Sequence, residues 1–113
     1  MIKIALCDDN EVERRLLRKI VTAVLRELHQ EVLIGEFSSG EKLQRNFSRG
    51  DYDLIFLDVF MKEMDGIATG RAIRKKDVKV EIILATGSDQ YLREGYELHA
   101  FAYLMKPYDV MQV

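Results

Sequence analysis

Short, almost continuously apolar runs alternate along this chain with longer stretches in which apolar residues recur at helical spacing. The short runs are Ile2–Cys7, Val32–Phe37, Tyr52–Leu57, Glu81–Ala85 and Ala100–Met105. Runs of this kind predict strands covered on both faces, because a strand with one wet face would alternate apolar and polar residues.

Helical patterns fill the intervals. Over Glu11–His29, Leu16, Leu17, Ile20, Val21, Val24, Leu25 and Leu28 recur every three or four positions, with Arg14, Arg15, Arg18 and Lys19 read as a solvated face. Ser38-Ser39-Gly40-Glu41 predicts a capping box before a helix carrying Leu43 and Phe47. Asp65–Lys76 spaces Ile67, Gly70 and Ile73 helically and leaves Arg71, Arg74, Lys75 and Lys76 largely outside. Ser88-Asp89 predicts an N-cap for a helix to about Leu98, weakened locally by Gly95. A fifth helix is expected to start near Pro107. Alternation of strands and helices predicts an α/β domain with a parallel sheet and helices on both faces.

Composition narrows the class. The 113 residues suit one domain, and 17 basic against 19 acidic side chains provide no bulk attraction to nucleic acid or an anionic membrane. One cysteine, Cys7, allows no internal disulfide and, with two histidines, no zinc framework. Cys7 reads as a buried core thiol and His29 and His99 as structural or solvated. No apolar run approaches the roughly 18 residues that span a bilayer. A cytoplasmic location is the expectation.

The strand ends carry the candidate chemistry. Asp8 and Asp9 follow the first run, Asp58 the third, Thr86 the fourth and Lys106 the fifth. Parallel strands bring these ends to one edge of the sheet, where ligands of such folds gather. Three neighbouring carboxylates repel and call for a cation, and an all-oxygen donor set favours Mg²⁺. Lys106 adds a positive charge and Thr86 a hydroxyl. One carboxylate can then attack phosphorus to form an aspartyl phosphate. Alone, Asp8-Asp9 would serve equally well as a helix cap, Thr86 as a strand-end hydroxyl and Lys106 as a surface charge; their convergence favours the site.

These residues carry a resemblance. Ile4-Ala-Leu-Cys-Asp8-Asp9-Asn10, Asp53-Leu-Ile-Phe-Leu-Asp58 with Met61 and Met64-Asp65-Gly66, Ile82-Ile-Leu-Ala-Thr86-Gly87 and Tyr103-Leu-Met-Lys106-Pro107 resemble the receiver domains of bacterial two-component response regulators. Lys62 stands where many receivers have proline. The resemblance implies a flavodoxin-like three-layer sandwich with strand order 2-1-3-4-5. It implies Asp58 as phosphoacceptor, Mg²⁺ held by Asp8, Asp9, Asp58 and the backbone carbonyl of Phe60, Thr86 and Lys106 as phosphoryl contacts, and Thr86 with Tyr103 as the switch. It also implies a cis peptide bond before Pro107. Phe60 and Ser88 are expected to tune dephosphorylation. The stretch from Tyr91 to Pro107 is similar to receivers coupled to LytTR-type DNA-binding domains.

The expected partners are a sensor histidine kinase and a second copy through helix four, strand five and helix five; kinase docking is the alternative to a solvated face for Arg14, Arg15, Arg18 and Lys19. DNA would be reached only through an output domain beyond residue 113, since helix five is expected to be truncated there. Residues 1–113 would form one receiver domain, which is not an enzyme in the turnover sense. Two rivals remain: a haloacid-dehalogenase-like phosphatase, whose second aspartate would be replaced by Asn10, and a receiver-like interaction module that is never phosphorylated.

Overall fold

In this computed structural model the described residues are 1–61, 64–87, 92–106 and 108. They form β1 (Ile2–Cys7), α1 (Glu11–Glu27), β2 (Val32–Phe37), α2 (Gly40–Arg45), β3 (Leu54–Asp58), α3 (Gly66–Lys76), β4 (Glu81–Thr86), α4 (Leu92–Glu97) and β5 (Ala102–Met105). All strand pairs are parallel and the sheet order is β2-β1-β3-β4-β5. The expected order and the expected alternation are both present.

Several boundaries differ from the sequence reading. β3 starts at Leu54 rather than Tyr52 and includes Asp58; β4 includes Thr86; β5 starts at Ala102 rather than Ala100. Ala100 instead closes the turn after α4, its N–H donating to the Gly95 carbonyl. The expected Ser38/Glu41 capping box is replaced at the hydroxyl, among the described residues, by the next serine. Ser39 is the cap of α2 and accepts from the Lys42 N–H, whereas Ser38 accepts from the Lys42 ammonium. α1 ends at Glu27, and His29 sits at φ 56°, as does His99 after α4. Each histidine occupies the left-handed position of a helix C-terminus, with the flanking N–H groups bonded back to Arg26 and Leu25 or to Tyr96 and Gly95. The Ser88-Asp89 cap, Lys62, and the fifth helix with its Lys106-Pro107 bond lie outside the described residues.

The sheet buries both faces, and strand alternation sorts the side chains between them. Ala5, Cys7, Ile55, Leu57, Ile82 and Leu84 face a core with Leu43, Phe47, Ile67, Ile73 and Leu98 from the α2, α3 and α4 side. Ile4, Leu6, Phe56 and Leu104 face a smaller core with Leu17 and Val21 of α1. The continuous hydrophobic runs follow from this two-sided burial.

Two polar devices tie the loops down. Arg74, read from sequence as largely outside, spans elements: it donates to the carbonyls of Leu98 (2.7 Å), Val80 (2.5 Å), Asp77 (3.3 Å) and His99 (3.2 Å). Asp77 is buried and accepts the N–H groups of Gly50, Lys79 and Val80. Although burial opposes its charge, these donors and Arg74 hold its carboxyl below the usual range.

The loop after β3 returns tightly over the strand it leaves. Gly66 donates its N–H to the Val59 carbonyl at 2.9 Å, and a Cβ there would lie 2.1 Å from the Asp58 carbonyl oxygen. Gly66→Ala is therefore expected to lower the unfolding free energy by about 2 kcal/mol or more, against the normal preference of a helix for alanine. Urea denaturation checks this; an unchanged or raised midpoint would show that the return path has slack.

Candidate functional site

β1 and β3 lie side by side, so Asp8 and Asp58 emerge at the same edge of the sheet. Asn10 rather than Asp8 or Asp9 caps α1, accepting from the Glu13 N–H at 3.1 Å. The cap therefore leaves the Asp9 carboxylate and one oxygen of Asp8 to the site. The other Asp8 oxygen accepts the Asn10 N–H at 2.9 Å. Carboxylate oxygens of Asp8, Asp9 and Asp58 lie within 4.8 Å of one another. Asp8 and Asp58 are buried and Asp9 is partly exposed.

Lys106 follows β5 and reaches across the sheet edge. Its N–H bonds the Thr86 carbonyl at 2.9 Å, which aims the side chain back over β4. Its ammonium lies 3.1 Å from Asp8 Oδ2 and 3.1 Å from Asp58 Oδ1, and it also donates to Glu13 Oε2. The structure thus brings together Asp8, Asp9, Asp58 and Lys106. Thr86 is fully buried at the end of β4. Leu84 pairs with Tyr103, so the period of two places Thr86 and Tyr103 on one face of the sheet. Tyr103 packs on that face against α4, where a Cβ on Gly95 would meet its ring at 2.6 Å. Gly95, read from sequence as a local weakness of the helix, is the space this ring fills. Phe60, two residues past Asp58, is 49% exposed. Ser88 lies outside the described residues.

Electrostatics follow from burial and charge excess. Burial and the neighbouring Asp8 push the Asp58 carboxyl up to about 7, while Lys106 pulls the other way. Burial disfavours the Lys106 ammonium, but Glu13, Asp58 and Asp8 outweigh it and hold the group above its ordinary range. Burial with the Asp8 and Asp58 charges pushes the Cys7 thiol up to about 12, so this residue is an inert core thiol.

Sequence reasoning missed the groups that orient the site. Glu13, three residues past the cap, is a third carboxylate on Lys106. Arg14, read as part of a solvated face, has a side chain only 15% exposed; it donates to the Asp8 carbonyl at 2.7 Å and pairs with Glu36 at 3.0 Å. Arg18 joins Glu36 at 2.6 Å. A single acid inside the apolar run of β2 was the available signal for this network.

The match to the response regulator receiver domain family runs over residues 4–113. This chain belongs to that family. The receiver domain is 30% identical over 109 residues to the transcriptional regulatory protein NatR of Bacillus subtilis, covering 96% of this chain and 45% of NatR. It is 34% identical over 93 residues to the transcriptional regulatory protein LytR of Staphylococcus aureus, covering 82% of this chain and 38% of LytR. These relatives are LytTR-type regulators. The chain spans less than half the length of either. Among solved structures, the receiver domain of AraT from Geobacillus stearothermophilus superposes with a TM-score of 0.80 at 28% identity, over 98% of this chain and 85% of that one. The response regulatory domain of mrkE from Klebsiella pneumoniae does so at 0.79 and 27%, over 98% and 88%. Membership in this family displaces the haloacid-dehalogenase reading. Among the described residues, no helix is long and apolar enough to cross a membrane.

Asp58 makes the stability of the metal-free receiver depend on pH. Its folded pKa of about 7 lies above the ordinary 3.8, so the folded state keeps a proton that the unfolded chain releases between those values. The stability this proton supplies is complete below about pH 4 and is lost as pH rises through 7. Asp58→Asn should remove that slope and gain, relative to wild type, on the order of 2 kcal/mol between pH 5 and pH 8. Chemical denaturation in chelator at both pH values measures the difference. A difference that does not change with pH would refute the raised pKa.

Proposed function

We propose that Asp58 accepts a phosphoryl group from the phosphohistidine of a sensor histidine kinase, with Mg²⁺ at the acidic cluster. The observation that carries this reading is the Lys106–Asp58 contact of 3.1 Å inside a group of three carboxylates whose oxygens lie within 4.8 Å. One ammonium does not neutralise that cluster, and its donors are all oxygen, so the residues fit a hard divalent cation. Asp8, Asp9, Asp58 and the Phe60 carbonyl would hold it. When bound, Mg²⁺ supplies positive charge against the phosphoryl oxygens.

The residues of this chain do the rest. An oxygen of Asp58 attacks phosphorus; the new O–P bond forms as the P–N bond to imidazole breaks, and the departing nitrogen keeps the electron pair and takes a proton from solvent. Lys106 balances charge on an equatorial oxygen. Thr86 donates its hydroxyl to another. Thr86 shares a sheet face with Tyr103, so movement of one changes the room available to the other. That pairing supports a two-state switch read out on α4 and β5. The half-exposed ring of Phe60 beside the site limits the approach of hydrolytic water.

The same reading extends to partners. Tyr96 and Phe101, 84% and 71% exposed, place apolar surface at α4 and the start of β5, which suits contact with a second copy. The exposed Arg15, Arg18 and Lys19 of α1 give a basic face that suits a kinase. The curated relatives favour a regulator in which residues 1–113 are the receiver and a LytTR-type domain contacts promoter DNA, in the cytoplasm. The domain assists its own phosphorylation and dephosphorylation and turns over no diffusing substrate.

Acetyl phosphate with Mg²⁺ should add about 80 Da to the intact protein, the mass of one phosphoryl group. Asp58→Asn should carry no adduct; equal labelling of that variant would reject Asp58 as the acceptor. Mg²⁺ alone should raise the melting temperature of wild type, and Asp9→Asn should lose most of that rise. A full rise in Asp9→Asn would remove Asp9 from the cation site.

A further inference from the structure

Glu13 has no part in the reaction set out above, yet it holds the same ammonium as the phosphoacceptor. The Asn10 cap fixes the first turn of α1, and this turn carries Glu13 to Lys106. The Glu13 side chain is 37% exposed, whereas the Lys106 side chain is 15% exposed. Lys106 Nζ has three hydrogens, and in this structure Asp8, Asp58 and Glu13 are its three carboxylate partners. A phosphoryl oxygen entering the site meets an ammonium that already donates to Asp8 and Glu13 and lies 3.1 Å from Asp58 Oδ1. It competes with these carboxylates for the lysine.

We infer that Glu13 is a positioning residue that competes with the incoming phosphoryl group for Lys106 and so sets how readily the domain takes a phosphodonor. Asp8 is buried and tied to the Asn10 N–H, and Asp58 is the acceptor itself. Glu13 is the partner with solvent access, so it is the one that can exchange Lys106 for water. Its charge also adds to the negative field that an anionic donor must enter. Both effects act on the bound donor and on the transition state alike, because Lys106 contacts the phosphoryl group in each. The consequence falls on donor binding and not on the chemical step.

This inference rests on the proposed phosphorylation of Asp58, and its test separates the two. The rate of mass adduct formation is measured against acetyl phosphate concentration at saturating Mg²⁺ for wild type, Glu13→Gln and Glu11→Gln. In the labelled reaction the O–P bond to Asp58 forms as the P–O bond to acetate breaks, and acetate leaves with the electron pair. Glu11 sits in the same helical turn and carries the same charge, but it pairs with Arg15 at 2.7 Å. It controls for net charge and for the helix dipole. Glu13→Gln should lower the half-saturating donor concentration about three- to tenfold with the maximal rate within twofold, and Glu11→Gln should match wild type. No adduct on wild type would overturn the phosphorylation reading itself. An adduct on wild type with an unchanged or raised half-saturating concentration in Glu13→Gln would overturn the role of Glu13 alone. An equal drop in both variants would also overturn it, since that would report bulk charge.

Discussion

One ammonium set among carboxylates governs this molecule. Lys106 leaves the last strand of the chain order, Asp8 the first and Asp58 the third, and they meet because parallel strands end on one edge. A charge pair at 3.1 Å interacts by roughly 5 kcal/mol before solvation costs at an effective dielectric of 20. Repulsions among Asp8, Asp9 and Asp58 are of similar kind, so the cluster without a cation is under-neutralised. Burial first, and then the neighbouring Asp8 and Asp9 charges, push the Asp58 carboxyl up against the pull of Lys106. A group that binds cations or a phosphoryl group needs such unsatisfied charge, and the fold must supply the stability that the site does not.

That stability comes from elements away from the edge. The two-sided core fixes the strands, and Arg74 with Asp77 fixes the turns at the far ends of α3 and α4. Gly66 lets the loop after β3 lie against the Asp58 carbonyl, where any side chain would collide. The Arg14–Glu36–Arg18 network joins α1 to β2 and grips the Asp8 carbonyl, so the first acidic residue is held from its backbone as well as its side chain. The site is therefore placed by rigid groups that take no part in its chemistry.

The face shared by Thr86 and Tyr103 supports the proposed route from Asp58 to a surface. Thr86 ends β4 fully buried, and Tyr103 lies on the same side of β5 against Gly95 of α4. Burial and the neighbouring Glu94 push the Tyr103 phenol above its ordinary value, and its oxygen has no hydrogen-bond partner among the described residues. A buried hydroxyl without a partner costs free energy where it stands, which lowers the cost of moving it.

Much of this was legible in the chain itself. Continuous apolar runs marked five strands because burial on both faces leaves no polar alternation, and the acidic and basic residues past each run marked the site because the ends of parallel strands must converge. Local signals failed where neighbouring candidates competed for one role. Ser38 and Ser39 compete to cap α2, and Asp8, Asp9 and Asn10 to cap α1; the choice depends on backbone angles set by how the chain leaves the preceding strand. Arg14 and Arg74 looked like solvated charges because helical spacing gives an azimuth and says nothing of what the neighbouring strand or loop presents there. Glu13 was invisible for the same reason: its partner is 93 residues away. Sequence determined which residues are chemically able to act and in which layer they lie. Only the tertiary structure decided which of them share a proton donor, because hydrogen bonds and ion pairs form across distances of about 3 Å that no spacing along the chain encodes.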